Sequence, residues 1–116
     1  MIDNETKIKT LAAHLDTDVT EISQEGCIPL FSCGQKEYLV CTENEANQLW
    51  EADLDSYLDE YVLPALPGNL PRYFDRDAWK RDARFDGRGH SLSTYDGTEH
   101  EMRLPSGEYL YIYRTN

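Results

Sequence analysis

The chain has 116 residues, of which 40% are apolar, and a formal net charge of −11 at pH 7. This length predicts a single domain over residues 1–116, and the apolar and aromatic content excludes a disordered acidic tail. Because so acidic a chain is repelled by nucleic acid and by anionic membranes, we expect neither as a direct partner and expect basic protein surfaces instead.

The segment before residue 42 predicts one helix and two strands. Apolar residues recur at helical spacing over residues 4–15, which indicates an amphipathic helix. Short strands are expected at residues 28–31 and 37–41, joined by a turn in which Gly34 takes a positive φ. The N-terminus lacks the basic and apolar pattern of a signal peptide, which predicts a cytoplasmic protein.

The three cysteines lie close together, at positions 27, 33 and 41. Their number is odd and their spacing matches no common zinc motif, so we expect reduced thiols with a mostly structural role. Cys41 follows an apolar run and is expected to be buried in a strand.

The clearest local signature is a capping box after the second strand. Thr42 can accept a hydrogen bond from the amide of Glu45, whose side chain can reach back to the amide of Thr42. The pattern predicts a helix that runs to about Leu63, where Pro64 prevents its continuation. The predicted apolar face of this helix comprises Leu49, Trp50, Leu54, Tyr57, Leu58, Tyr61 and Val62.

The C-terminal part predicts a third helix over residues 73–85 and strands at residues 90–95, 101–104 and 108–114. The inward side chains of the helix are expected to be Phe74, Ala78, Trp79 and Phe85. Gly87 and Gly89 are interpreted as a helix C-cap and a tight turn, in conformations that a Cβ disfavours. Alternation in the last strand places Leu110 and Ile112 on one face and Tyr109, Tyr111 and Tyr113 on the other. The predicted fold class is therefore α+β, with about three helices and an antiparallel C-terminal sheet.

Charge is distributed unevenly along the chain. Residues 43–71 contain seven acids and no Lys or Arg, whereas residues 72–116 contain eight acids and eight basic residues. On a helix these acids follow one another about every 4 Å, close to the charge spacing along a DNA strand. A run of acids on a helix is more often a solvated surface than a binding site. The functional hypothesis that we pursue is a DNA-mimicking surface. The candidate partner-binding residues are Glu43, Glu45, Glu51, Asp53, Asp55, Asp59 and Glu60.

Three of these acids, Glu51, Asp55 and Asp59, lie one helical turn apart on a single stripe. No basic residue of the predicted helix offsets their mutual repulsion. We therefore expect that replacing all three abolishes binding to a basic partner and leaves the fold intact or more stable, whereas a single substitution is tolerated.

Residues 86–101 contain residue types suited to acid–base or metal chemistry, namely His90, Asp96, Glu99, His100 and Glu101. No common catalytic or metal-binding motif accompanies them, so a structural corner is favoured, and we expect neither a cofactor nor a metal. The alternative is a small hydrolase or nuclease that uses His90, Asp96 and His100.

The run WKRDARFDGRGHSLS over residues 79–93, then Tyr95-Asp96-Gly97 and the C-terminal YIYRTN, resembles a family of small accessory proteins of bacteriophages, prophages and plasmids. The resemblance covers residues 37–116 and implies no catalytic residues. It implies a mobile-element product that acts inside a bacterium. From this context and the charge we expect an anti-defence inhibitor that binds a host defence nuclease or a CRISPR–Cas complex, in the manner of anti-CRISPR proteins. The alternative is a phage regulatory module that uses exposed tyrosines as its interface.

Overall fold

A five-stranded antiparallel sheet forms the centre of the computed structural model, which describes residues 2–26 and 29–116. The spatial order of its strands is β1-β2-β3-β5-β4. The strands are β1 (Ile22–Glu25), β2 (Leu30–Cys33), β3 (Lys36–Cys41), β4 (His100–Arg103) and β5 (Tyr109–Arg114). The helices are α1 (Asn4–Leu15), α2 (Glu43–Tyr57), α3 (Arg76–Ala83) and α4 (Arg88–Leu92). The predicted α+β class is confirmed.

Helices pack on both faces of the sheet. Because side chains of a strand alternate between its two faces, each strand contributes residues to both contacts. On one face, Leu110 and Ile112 of β5 pack with Leu11 and Ala12 of α1. On the other face, Tyr111 and Tyr113 pack with residues of β3, α2 and α4. The predicted alternation is confirmed. However, Tyr111 and Tyr113 are buried. The alternative of an interface formed by exposed tyrosines is therefore wrong for these two residues of β5.

The central strand pair joins residues that lie far apart in the chain. β3 and β5 are antiparallel, with Val40 opposite Ile112 and Cys41 opposite Tyr111. Cys41 is fully buried, as the sequence predicts, and burial raises the pKa of its thiol to about 12. Cys33 and Cys41 are free thiols, and Cys27 lies outside the described residues.

The N-terminal half agrees with the sequence in most elements. α1 has the predicted bounds, and the Asp3 side chain accepts from the Thr6 amide at 2.9 Å. Gly34 has a φ of 64°, as expected for the turn between β2 and β3. The first predicted strand, residues 28–31, begins later in the structure, at Leu30, and its residue 28 lies outside the described part. Strand β1 was not predicted, because its four residues carry little apolar alternation.

The capping box of α2 is confirmed in both directions. The amide of Glu45 donates to Thr42 Oγ1 at 3.2 Å, and the amide of Thr42 donates to Glu45 Oε1 at 2.9 Å. After Tyr57 the helical backbone continues as a π-helical segment, Leu58–Val62, and a 3-10 turn, Leu63–Ala65. The helical run therefore ends close to the predicted residue, Leu63.

The predicted third helix is shorter than expected and its inward face is partly wrong. α3 covers eight residues and a 3-10 turn, Arg84–Asp86, follows it. Phe85 is 87% exposed, and Tyr57 and Tyr61 on the α2 side are also exposed. Leu54 of α2 and Leu58 of the π-helical segment are the buried apolar residues here. The helical spacing of Tyr57, Tyr61 and Phe85 predicts that they are buried, but the core does not extend to these three residues.

The strand predicted at residues 90–95 is wrong, because residues 88–92 form α4. Gly87, with φ 87° and ψ 161°, lets the chain turn sharply into this helix. Gly89 is helical, and a Cβ at this position would lie 2.7 Å from the Gly97 carbonyl oxygen. The helix thus packs directly on the backbone of residues 97–99, a contact that the short alternation in His90-Ser91-Leu92-Ser93 does not indicate.

Candidate functional site

The predicted acidic stripe of α2 forms ion pairs along one side of α3. Arg76 donates to Asp59 at 2.8 Å and to Asp55 at 3.2 Å. Lys80 contacts Asp55 at 2.7 Å and also pairs with Glu51, which pairs further with Arg84. The acids and the cations are each spaced four residues apart, so two antiparallel helical segments bring them into register. We call these six residues the ladder: Glu51, Asp55, Asp59, Arg76, Lys80 and Arg84.

Lys80 is the centre of the ladder. Its residue surface is only 8% exposed, and its ammonium group lies between the carboxylates of Glu51 and Asp55. The hydrogen bond with Lys80 is the main cause that lowers the pKa of both carboxyls. The two contacts also raise the pKa of Lys80. The acids of the ladder therefore hold α3 against α2.

The N-terminal turn of α2 is paired as well. Glu45 accepts from the buried Lys7 ammonium at 2.7 and 3.0 Å, which links α1 to α2. Glu43 accepts from Arg88 at 2.7 Å, which links α4 to α2. Glu45 also completes the capping box, so its carboxylate accepts from two donors, the Lys7 ammonium and the Thr42 amide.

Five of the seven predicted partner-binding carboxylates are thus paired with cations of the same chain: Glu43, Glu45, Glu51, Asp55 and Asp59. The expectation that their repulsion is uncompensated is wrong. The compensating cations are absent from the helix itself and come from Lys7 and from residues 76–88. Asp53 and Glu60 differ from these five, because no ion pair within residues 2–26 and 29–116 involves either one.

Arg88 is the centre of a partly buried polar cluster that joins α4 to β5. Its guanidinium donates to Glu99 at 2.9 Å and lies 4.6 Å from the centroid of the Tyr111 ring. The Tyr113 hydroxyl donates to the same Glu99 carboxylate. Burial raises the pKa of Tyr113, and the bond to Glu99 raises it further. Arg88 and Glu99 therefore hold α4 against Tyr111 and Tyr113 of β5.

His90, Asp96 and His100 do not form one catalytic group in the structure. His90 lies on α4, on the α2 side of the sheet, and lines a cavity there. His100 lies on β4, and its ring is 4.7 Å from that of His14 of α1, on the opposite side. Asp96 accepts from Ser93 Oγ at 2.7 Å and from the Thr98 amide at 3.1 Å, which closes a turn. Glu101 is an exposed residue of β4.

The described residues, 2–26 and 29–116, contain no group of three or more His, Cys, Asp or Glu side chains that could hold a metal ion. In the same ranges, no helix is both long enough and apolar enough to cross a membrane.

A cavity of about 430 Å³ opens on the other side of α2 from the ladder. We call it the side pocket. Asp53 and Tyr57 of α2, Trp79 of α3 and His90 of α4 contribute to its wall, together with Asp86 from the turn before α4. The Tyr57 and Trp79 rings are nearly parallel, with an interplanar angle of 12° and centroids 6.0 Å apart. Sequence analysis identified Asp53 and His90 separately, and it assigned both aromatic residues to the core.

The internal ion pairs leave most of the charge excess in place. Within residues 2–26 and 29–116, they involve seven carboxylates and six cations, a net charge of −1. Of the total of −11, a charge of −10 therefore belongs to other residues.

Comparisons of this chain with protein-family models, with curated proteins and with solved structures found no match.

Proposed function

We propose that this protein is a binding protein that inhibits a host nucleic-acid-targeting complex by occupying a basic surface of that complex. The partner is a host defence nuclease or a CRISPR–Cas complex, and binding takes place in the cytoplasm of a bacterium. The observation that carries the proposal is the charge of −10 that remains outside the internal ion pairs.

A surface of this charge complements the channels that such complexes use for nucleic acid, which are lined by Lys and Arg. Association would release the counterions of both surfaces, so the affinity should fall steeply with salt concentration. The ladder enters this mechanism only indirectly. Its carboxylates are already neutralised by Arg76, Lys80 and Arg84, so they hold the helices in place rather than supply free charge.

A binding role is favoured over the hydrolase alternative by the separation of His90 from His100. The two residues lie on opposite sides of the central sheet, because His100 contacts α1 and His90 belongs to α4. His90 lines the side pocket and His100 does not, so the two imidazoles do not share that cavity.

The proposal is tested by competition with DNA. A panel of purified CRISPR effector complexes and restriction enzymes is mixed with labelled target DNA at 1:1 and higher molar ratios of this protein. We expect at least one complex to lose DNA binding stoichiometrically at about 50 mM salt and to recover it as salt is raised. Loss of DNA through cleavage by this protein, or inhibition that is catalytic and independent of salt, would contradict the proposal.

A further inference from the structure

The side pocket combines two carboxylates with the exposed ring of Tyr57 and the half-buried ring of Trp79. Asp53 and Asp86 both line it, and no cation within the described ranges forms an ion pair with either. Two residues from Asp53 in each direction, Glu51 and Asp55 are paired with Lys80. The same helix therefore has a neutralised side and a side that is open to an external cation.

Asp53 is an exposed residue, but partial desolvation of its carboxyl raises the pKa of that group. A carboxylate whose charge is disfavoured by its surroundings gains from a cation that enters the same space. No side chain of the described residues provides that cation at Asp53. The Asp53 carboxylate can therefore pair with a cation from outside the chain.

The aromatic wall indicates which kind of cation fits. Tyr57 is 52% exposed, its ring is stacked nearly parallel to that of Trp79, and both residues line the pocket. Exposed aromatic faces attract cations, and a planar guanidinium stacks on such a face while its N–H groups donate to carboxylates at its edge. An ammonium group is a hydrated point charge and uses only part of this surface.

We propose that the side pocket binds an arginine side chain of a basic protein partner, with the guanidinium between the Tyr57–Trp79 wall and the carboxylates of Asp53 and Asp86. That the arginine belongs to a host protein rests on the proposed function, whereas the recognition of a guanidinium group rests on the pocket alone. The volume of about 430 Å³ accommodates one long side chain and excludes a folded segment. Arginine would therefore act as a single anchor within a larger, weakly specific electrostatic contact.

The pocket is tested by NMR titration with three capped Gly/Ser peptides that carry one arginine, one lysine or one citrulline at the centre. The two tryptophans are distinguished by a Trp50→Phe variant. We expect the arginine peptide to shift the Trp79 indole signal, the lysine peptide to bind at least threefold more weakly, and the uncharged citrulline peptide to cause no saturable shift.

Substitutions then locate the site. Asp53→Asn, Asp86→Asn and Tyr57→Ala are each expected to weaken arginine-peptide binding at least fivefold. The controls Asp77→Asn and Tyr73→Ala remove an exposed acid and an exposed aromatic outside the pocket, and they should bind as wild type. Each variant is checked for an unchanged amide spectrum away from its own position. Because Asp53→Asn and Asp86→Asn leave the packing intact, the test remains valid if Tyr57→Ala is poorly folded.

Equal binding of the three peptides, or pocket variants that bind as wild type, would overturn the arginine site. The peptide titration needs no host complex, so it separates the two proposals. Binding of the arginine peptide without any competition against DNA would contradict the proposed function alone. Undiminished competition by Asp53→Asn and Asp86→Asn would contradict the pocket's role in it.

Discussion

The two sides of α2 carry similar carboxylates in opposite circumstances. On the ladder side, Glu51 and Asp55 share the ammonium of Lys80, and this contact lowers the pKa of both. On the side pocket, Asp53 has no paired cation within the described ranges, and desolvation raises its pKa. One side therefore contributes to stability, and the other has a free charge for binding. The number of acids in a helix does not indicate how much of its charge is available to a partner.

The largest loss of stability is expected from a substitution in α4. This short helix is joined to the first turn of α2 by the ion pair of Arg88 with Glu43. A Cβ on Gly89 would lie 2.7 Å from the Gly97 carbonyl oxygen and 2.9 Å from the Glu99 amide nitrogen. Gly89→Ala should therefore lower the free energy of unfolding by about 3 kcal/mol, because the backbone of α4 must move away. The measurement is urea unfolding followed by circular dichroism.

Gly87→Ala is the matched control for this variant. Gly87 has a positive φ of 87°, but a Cβ there would have no neighbour within 4 Å. Only backbone strain remains, and it should cost about 1–2 kcal/mol. If Gly89→Ala is as stable as Gly87→Ala, α4 does not pack on residues 97–99 as described.

An intermediate effect is expected from Lys80, the cation at the centre of the ladder. Lys80→Gln leaves Glu51 and Asp55 close together without their shared ammonium, which should cost about 1–2 kcal/mol after allowance for the partly exposed carboxylates. Its neighbour Arg81 is exposed and has no ion pair among those found in the described ranges, so Arg81→Gln should change stability by less than about 0.5 kcal/mol. Similar losses in the two variants would show that the ladder is only a loose surface contact.

A smaller effect is expected in the pH dependence of stability. The carboxyls of Glu51, in the ladder, and of Asp53, in the side pocket, should contribute to it with opposite sign. Glu51 has a pKa below its ordinary value of 4.5, so its stabilising contribution is present above that pH and is lost as the pH falls. Asp53 has a pKa above its ordinary value of 3.8, so its unfavourable contribution is relieved as the pH falls.

Thermal unfolding between pH 6 and pH 3 tests this difference. Glu51→Gln should make the acid-induced loss of stability shallower than in wild type, whereas Asp53→Asn should make it steeper. A shift of both profiles in the same direction would contradict the assignment of the two carboxyls to different environments.

The features that sequence analysis predicted correctly are the local ones. The Thr42–Glu45 capping box joins residues three positions apart, and the faces of β5 follow from strict alternation. The ladder joins residues that are 17 to 33 positions apart, and only the folded arrangement of α2 and α3 brings them together. The same limit applies to Phe85 and Tyr57, whose helical spacing fits a core, because no local pattern shows that the core ends before them.

The strand predicted at residues 90–95 was wrong for a related reason. Four residues of apparent alternation cannot be distinguished from one turn of helix, and the deciding contact of Gly89 with residues 97–99 is tertiary. The side pocket was missed because its members come from three helices. Asp53 and His90 were candidate residues for two different functions, and no local pattern in the sequence places them in one cavity.

The most direct test of the central claim compares two triple variants that each remove three negative charges. One replaces the acids of the ladder, Glu51→Gln, Asp55→Asn and Asp59→Asn, and the other replaces unpaired acids, Asp53→Asn, Glu60→Gln and Asp86→Asn. Thermal unfolding at pH 7 and low salt should show a melting temperature lowered by roughly 5–10 °C for the first and an unchanged or higher one for the second. If both triple variants melt higher than wild type by the same amount, general repulsion governs the acids of α2, and the division into a paired side and a free side is wrong.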